Sequence, residues 1–148
     1  MVLITSMSYL FSEVPKAQRT QQETARLIQK LEEMHVTRFY TDYWSCARLI
    51  FASQERLICG DTWGNLTHGY DRYKPYLEDM LHTPNPAFVY SAESLSLKDL
   101  KQAMDKNHIV YSSTVYAGYV IVQPERPIPG VLLYQPAPPI PGFVPYQP

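Results

Sequence analysis

The chain has 148 residues, enough for one domain, and 45% of them are apolar against 18% charged; that balance supports a packed core and excludes general disorder. The net charge is −1 and the 13 basic residues are scattered, which excludes a nucleic-acid surface, because that needs a basic stripe to displace counterions. No run of about 20 apolar residues occurs, so the sequence has no complete membrane span.

The first residues, Val2-Leu3-Ile4-Thr5-Ser6-Met7-Ser8-Tyr9-Leu10-Phe11, are apolar but short. Without a basic flank they make a poor signal peptide. They read as a first strand, a loop packed on the core, or the stub of a membrane helix. Thr20-Gln21-Gln22-Glu23 is a capping box and predicts a helix over 20–35. Thr24, Leu27, Ile28, Leu31 and Met34 share one face of it. A strand over 36–41 follows. Asp42 then suits the N-cap of a helix over 43–53. Tyr43, Cys46, Ala47, Ile50 and Phe51 fall at the spacing of a core-facing stripe on that helix. Trp44 is expected to pack against a neighbouring element. A buried strand over 56–59 leads to a glycine-punctuated loop over 60–74.

Pro75 suits the first turn of a short helix ending near Leu81. Residues 87–90 read as a third strand. Ser96-Leu97-Lys98-Asp99 resembles a second capping box, with Leu97, Leu100 and Met104 on the buried face of a helix ending near Asn107. Residues 109–115 and 119–122 read as strands joined by a hairpin turn at Tyr116-Ala117-Gly118. The order α-β-α-β-α-β-α-β-β predicts an α/β fold: a small Rossmann-like three-layer sandwich, mainly parallel, with a C-terminal antiparallel hairpin. The chain divides into an apolar N-terminal segment or linker (1–19), the α/β domain (20–123) and a proline-rich repeat tail (124–148). In the tail, Pro127-Ile128-Pro129-Gly130 recurs twelve residues later as Pro139-Ile140-Pro141-Gly142. Such proline density favours extended polyproline conformations, either as a disordered terminus or as a ligand for an aromatic groove on a protein partner.

Chemistry is sparse. Glycine-rich phosphate loops, a Walker lysine and a nucleophile elbow are all missing. The two cysteines, Cys46 and Cys59, and four dispersed histidines do not make a zinc pattern. Each cysteine lies about 10 Å from the turn between its helix and the returning strand, so the two meet either as a core contact or as a disulfide. No catalytic residue, metal or cofactor is assigned. Ligands of open parallel sheets bind beyond the carboxyl ends of the strands. There the sequence places Asp42 and Trp44 after the first strand and Asp61 and Trp63 after the second, backed by His68, Tyr70, Asp71, Arg72 and Tyr73. Aromatic faces stack on sugar C–H surfaces while carboxylates and guanidinium groups bridge hydroxyls, so this edge suits a glycan. Each residue also has a plainer role: Asp42 as a helix cap, Asp71 with Arg72 as a surface ion pair. Tyrosine, at 12 residues, fits half-wet interfaces and sugar loops as well as strands. Asn65-Leu66-Thr67 matches a glycosylation sequon, a short pattern that recurs by chance.

Several segments together carry a family resemblance. They are Tyr40-Thr41-Asp42-Tyr43-Trp44, Arg48-Leu49 with Phe51, Ser53-Gln54-Glu55-Arg56, Arg72-Tyr73-Lys74-Pro75-Tyr76 and Pro86-Ala87-Phe88-Val89-Tyr90. Over roughly 20–122 they resemble the C-terminal soluble region of bacterial polytopic membrane glycosyltransferase-like proteins, the dolichyl-phosphate-mannose-transferase-like class. The resemblance implies a soluble α/β region on the extracytoplasmic face of the membrane. It follows a multi-span domain that uses a lipid-phosphate sugar donor and carries the catalytic acid. The matching motifs are structural, so no catalytic residue carries over. The expectation is a non-catalytic accessory domain that holds an acceptor glycan or packs on the polytopic membrane domain. The alternative is a stand-alone interaction module that recruits a partner through its proline repeat. The apolar residues 2–11 then read as the end of a last membrane helix or its linker.

Overall fold

The structure is a computed structural model and describes residues 3–67, 69 and 73–128; for 3–14 and 16 it describes the backbone alone. Among the described residues nine elements follow in chain order: α1 (Leu3–Glu33), β1 (Arg38–Thr41), α2 (Tyr43–Ala52), β2 (Ile58–Asp61), α3 (Lys74–Leu81), β3 (Ala87–Ser91), α4 (Leu95–Lys106), β4 (Tyr111–Tyr116) and β5 (Tyr119–Pro124). The helix-strand order agrees with the order read from the sequence. The strands form one mixed sheet in the order β2-β1-β3-β5-β4. β1 pairs parallel with both β2 and β3, whereas β5 runs antiparallel to both β3 and β4. The hairpin therefore inserts β5 next to the parallel strands and leaves β4 at the margin.

Two apolar clusters use alternate strand residues, which project to opposite faces of the sheet. One joins Phe39, Cys59, Ala87, Val89 and Ile121 to Leu27, Ile28 and Leu31 of α1 and Leu49 of α2. The other joins Tyr40, Phe88, Tyr90, Val120 and Val122 to Met80 of α3 and Leu97, Leu100 and Met104 of α4. Tyr40 and Phe88 stack across neighbouring strands with ring centroids 5.6 Å apart.

The helix ends explain where the sequence boundaries shift. α1 begins at Leu3 with Pro15 inside it, so the capping box at 20–23 is interior. The Thr24 hydroxyl donates to the Thr20 carbonyl at 2.7 Å, a bond from one helical turn to the turn before. The cap of α4 lies two residues earlier than the expected Ser96: it is Ser94, whose side chain accepts from the Ser96 N–H. Three helices close on a left-handed residue that is not glycine. At α1, His35 (φ 57°) leads the Val36 N–H to the Leu31 carbonyl and its own N–H to that of Glu32. Gln54 (φ 53°) after α2 and His108 (φ 54°) after α4 repeat this pair of bonds. These are Schellman closures, which satisfy the last carbonyls of a helix. After α2 the closure takes up Gln54 and Glu55, so β2 starts at Ile58 rather than at Arg56.

Candidate functional site

The carboxyl ends of β1 and β2 lie side by side, with Thr41 and Asp61 in register. Asp42 acts as a cap: its carboxylate accepts the Ser45 N–H at 2.9 Å. Asp61 is the last residue of β2 rather than part of the following loop, and its carbonyl accepts the Gly69 N–H at 2.7 Å. Behind both carboxylates, the Tyr90 hydroxyl is buried in a hydrogen bond with the Thr62 hydroxyl. Burial pushes the Tyr90 phenol well above its ordinary range. The Thr62 hydrogen bond opposes that shift, and the charges of Asp61 and Asp42 add to it. The Thr41 hydroxyl is also buried here, without a hydrogen-bond partner among the described residues.

The aromatic residues sit differently from the sequence expectation. Trp44 does not pack under a neighbouring element: it is 79% exposed and touches Tyr43 edge-on at 5.2 Å. Its position in the first turn of α2, one residue after Tyr43, turns it away from the sheet. Trp63 is 64% exposed on a loop fixed by its N–H to the Thr67 carbonyl. In that loop Asn65 accepts from the Thr67 N–H and hydroxyl, and Leu66 is buried with φ 62°. Tyr73 is exposed and meets Tyr76 in a T-shaped contact at 4.5 Å. His68, Tyr70, Asp71 and Arg72 lie outside the described residues, as do residues 129–148 of the proline-rich tail.

A groove of about 520 Å³ runs along the outer side of β2, between α2 and α3. α2 supplies Tyr43, Ala47, Ile50 and Phe51. β2 supplies Cys59 and Asp61, and α3 with its preceding residue supplies Tyr73 and Tyr76. Glu55 and Gln54 close one end. Cys46 and Cys59 are joined as a disulfide, with Cα atoms 5.7 Å apart, and it lies in the groove wall. Burial raises the Tyr76 phenol above its ordinary value; a hydrogen bond to Glu55 and the Glu55 charge act in the same direction.

Phe51, Glu55 and Tyr76 are site residues that the sequence reading did not assign to a site. Phe51 was expected in the core stripe and is 87% exposed. The stripe itself is real, since Tyr43, Cys46, Ala47, Ile50 and Phe51 all line the groove. Of that stripe Cys46 and Ile50 also meet the core, beside the buried Ser45 and Leu49. An apolar row beyond what the core uses was the available signal.

The groove can hold a ligand by stacking and by carboxylate hydrogen bonds. Among the described residues no group of three or more His, Cys, Asp or Glu is arranged to hold a metal ion. No described helix is long and apolar enough to cross a membrane. No family model, curated protein or solved structure matches this chain.

Proposed function

We propose that this chain is a non-catalytic accessory domain that holds a glycan in the groove along β2. One observation carries the reading: an open groove walled by Tyr43, Phe51, Tyr73 and Tyr76 has the carboxylates of Glu55 and Asp61 along it. Aromatic walls accept the C–H face of a sugar ring, and the carboxylates accept from its hydroxyls. Trp44 and Trp63 extend the aromatic surface beyond the strand ends.

The finer fold reading, a small Rossmann-like three-layer sandwich, belongs to the same proposal and is supported by the two cores on opposite faces of the sheet. So does the likeness to the soluble region of bacterial polytopic membrane glycosyltransferase-like proteins. On that reading the domain lies on the extracytoplasmic face, beside a membrane domain that performs the transfer. The disulfide supports this placement, because such bonds persist in oxidising compartments.

The test is isothermal titration of the chain with a panel of neutral and acidic oligosaccharides. Binding of about micromolar to millimolar strength is expected. Phe51→Ala and Tyr73→Ala weaken it about tenfold or more and Trp63→Ala weakens it less, all with unchanged melting. If no glycan binds, or if Phe51→Ala leaves binding intact, the reading fails. Loss of a protein partner on deletion of 124–148 would instead make the chain an interaction module built on its proline repeat.

A further inference from the structure

β4 is the last strand of the sheet. Its hairpin closes through Ala117 (φ 48°) and Gly118 (φ 79°), with Tyr116 opposite Tyr119. In a two-residue hairpin the closing pair is hydrogen-bonded and the pairing alternates from there. Tyr116, Thr114 and Ser112 therefore turn their backbone groups toward β5. The same phase continues past the strand, where the Val110 carbonyl accepts the Glu125 N–H at 2.9 Å. Tyr111, Ser113 and Val115 turn theirs outward, where no described strand lies.

Sheet margins in monomeric proteins are commonly blunted by charge, proline, bulges or short length. β4 carries none of these devices. Its sequence is Tyr-Ser-Ser-Thr-Val-Tyr, without charge or proline, and it pairs with β5 through six consecutive positions. Val115 is 70% exposed, and Val110 beside the strand is exposed too.

We propose that β4 pairs antiparallel with β4 of a second copy of this chain, about a two-fold axis through Ser113. The hydrogen-bond phase dictates the register, because outward-facing residues must oppose one another. Centring on Ser113 uses all three of them. Tyr111 then faces the partner's Val115, Ser112 faces the partner's Thr114, and Ser113 faces the partner's Ser113. Aromatic against β-branched and hydroxyl against hydroxyl are stabilising cross-strand pairs, and no like charges meet. The strand is thus complementary to itself in the way an isologous interface requires. Tyr111 packs against the apolar cluster beneath α4, so its ring is placed before association. The contact is a strand margin rather than a broad face, so the dimer is weak and depends on concentration.

Sedimentation velocity of the full chain across the micromolar range tests this. The apparent mass is expected to double as concentration rises. Ser113→Lys sets two like charges opposite each other across the axis and weakens association about tenfold or more. Mixing Ser113→Lys with Ser113→Glu restores a dimer. Ser113→Cys cross-links on mild oxidation, since both natural cysteines are already paired. The exposed position keeps each variant folded, which melting curves check. A wild-type chain that stays monomeric at every concentration overturns the proposal, and so does a dimer indifferent to Ser113→Lys. Hydrogen exchange adds a separate readout: the Tyr111, Ser113 and Val115 amides slow as concentration rises. Protection independent of concentration means that another part of the same chain covers β4, and the proposal fails.

Discussion

The two margins of the sheet have been finished in different ways. β2 spans four residues and ends in a carboxylate. The Gly69 N–H occupies its terminal carbonyl, and a disulfide ties it to α2. β4 spans six uncharged residues, and no described strand pairs with its outer side. The first margin resists pairing with another strand and devotes its flank to a groove. The second keeps an open ladder. On the two proposals above, the opposite margins of one small sheet divide ligand contact from self-contact.

That contrast can be broken most strongly at the disulfide. Cys46→Ser with Cys59→Ser opens a link between residues 13 apart and is expected to cost about 3 kcal/mol. Chemical denaturation with and without reductant measures it, and the β4–β5 hairpin should keep its exchange protection longer than β2. A smaller effect separates two glycines. A Cβ on Gly60 of β2 would meet the Tyr40 ring at 2.6 Å, so Gly60→Ala costs about 2 kcal/mol through steric displacement. Gly118→Ala meets nothing within 4 Å and costs about 1 kcal/mol through its left-handed backbone alone. Equal losses at the two sites would contradict this distinction between crowding and conformation.

The smallest expected effect sharpens the comparison from behind β2. Tyr90→Phe leaves the Thr62 hydroxyl without its partner and costs about 1 kcal/mol at neutral pH. The folded Tyr90 pKa lies above its ordinary value of 10.0. Its contribution is therefore intact below pH 10, and it declines as the unfolded chain loses its proton first. The slope is about 1.4 kcal/mol per pH unit. Tyr76 and Tyr111 add slopes of the same sign. Stability measured from pH 9 upward should fall less steeply in Tyr90→Phe than in the wild type.

Local signals in the sequence located most of the framework. Pro75, the Asp42 cap and the Ala117-Gly118 turn each mark a boundary through chemistry within a few residues. The failures were also local. Thr20-Gln21-Gln22-Glu23 satisfies the capping pattern, yet the chain before it is already helical, and a pattern of four residues does not report its upstream neighbour. Gln54 and Glu55 adopt left-handed backbone in place of glycine, so the start of β2 was set two residues early. Phe51 exposes the deeper limit. Apolar periodicity says that a helix face seeks cover but not whether this chain provides it, so a groove wall and a core face look alike. Asp42 and Asp61 were both placed at the strand ends, whereas the contributions of Glu55 and Tyr76 depend on how α3 returns beside β2. That return is set by the packing of Met80 and by the Arg38–Asp79 ion pair at 2.6 Å.

The link between Cys46 and Cys59 has a thermodynamic consequence for the groove. Wall and floor are one covalent piece, so a ligand entering there does not have to order one against the other. Preorganisation of this kind raises affinity without adding a contact. On the glycan-holding proposal, reducing the bond would leave every aromatic and carboxylate group present and still weaken binding, because recognition would then carry an entropic cost that the oxidised chain met on folding.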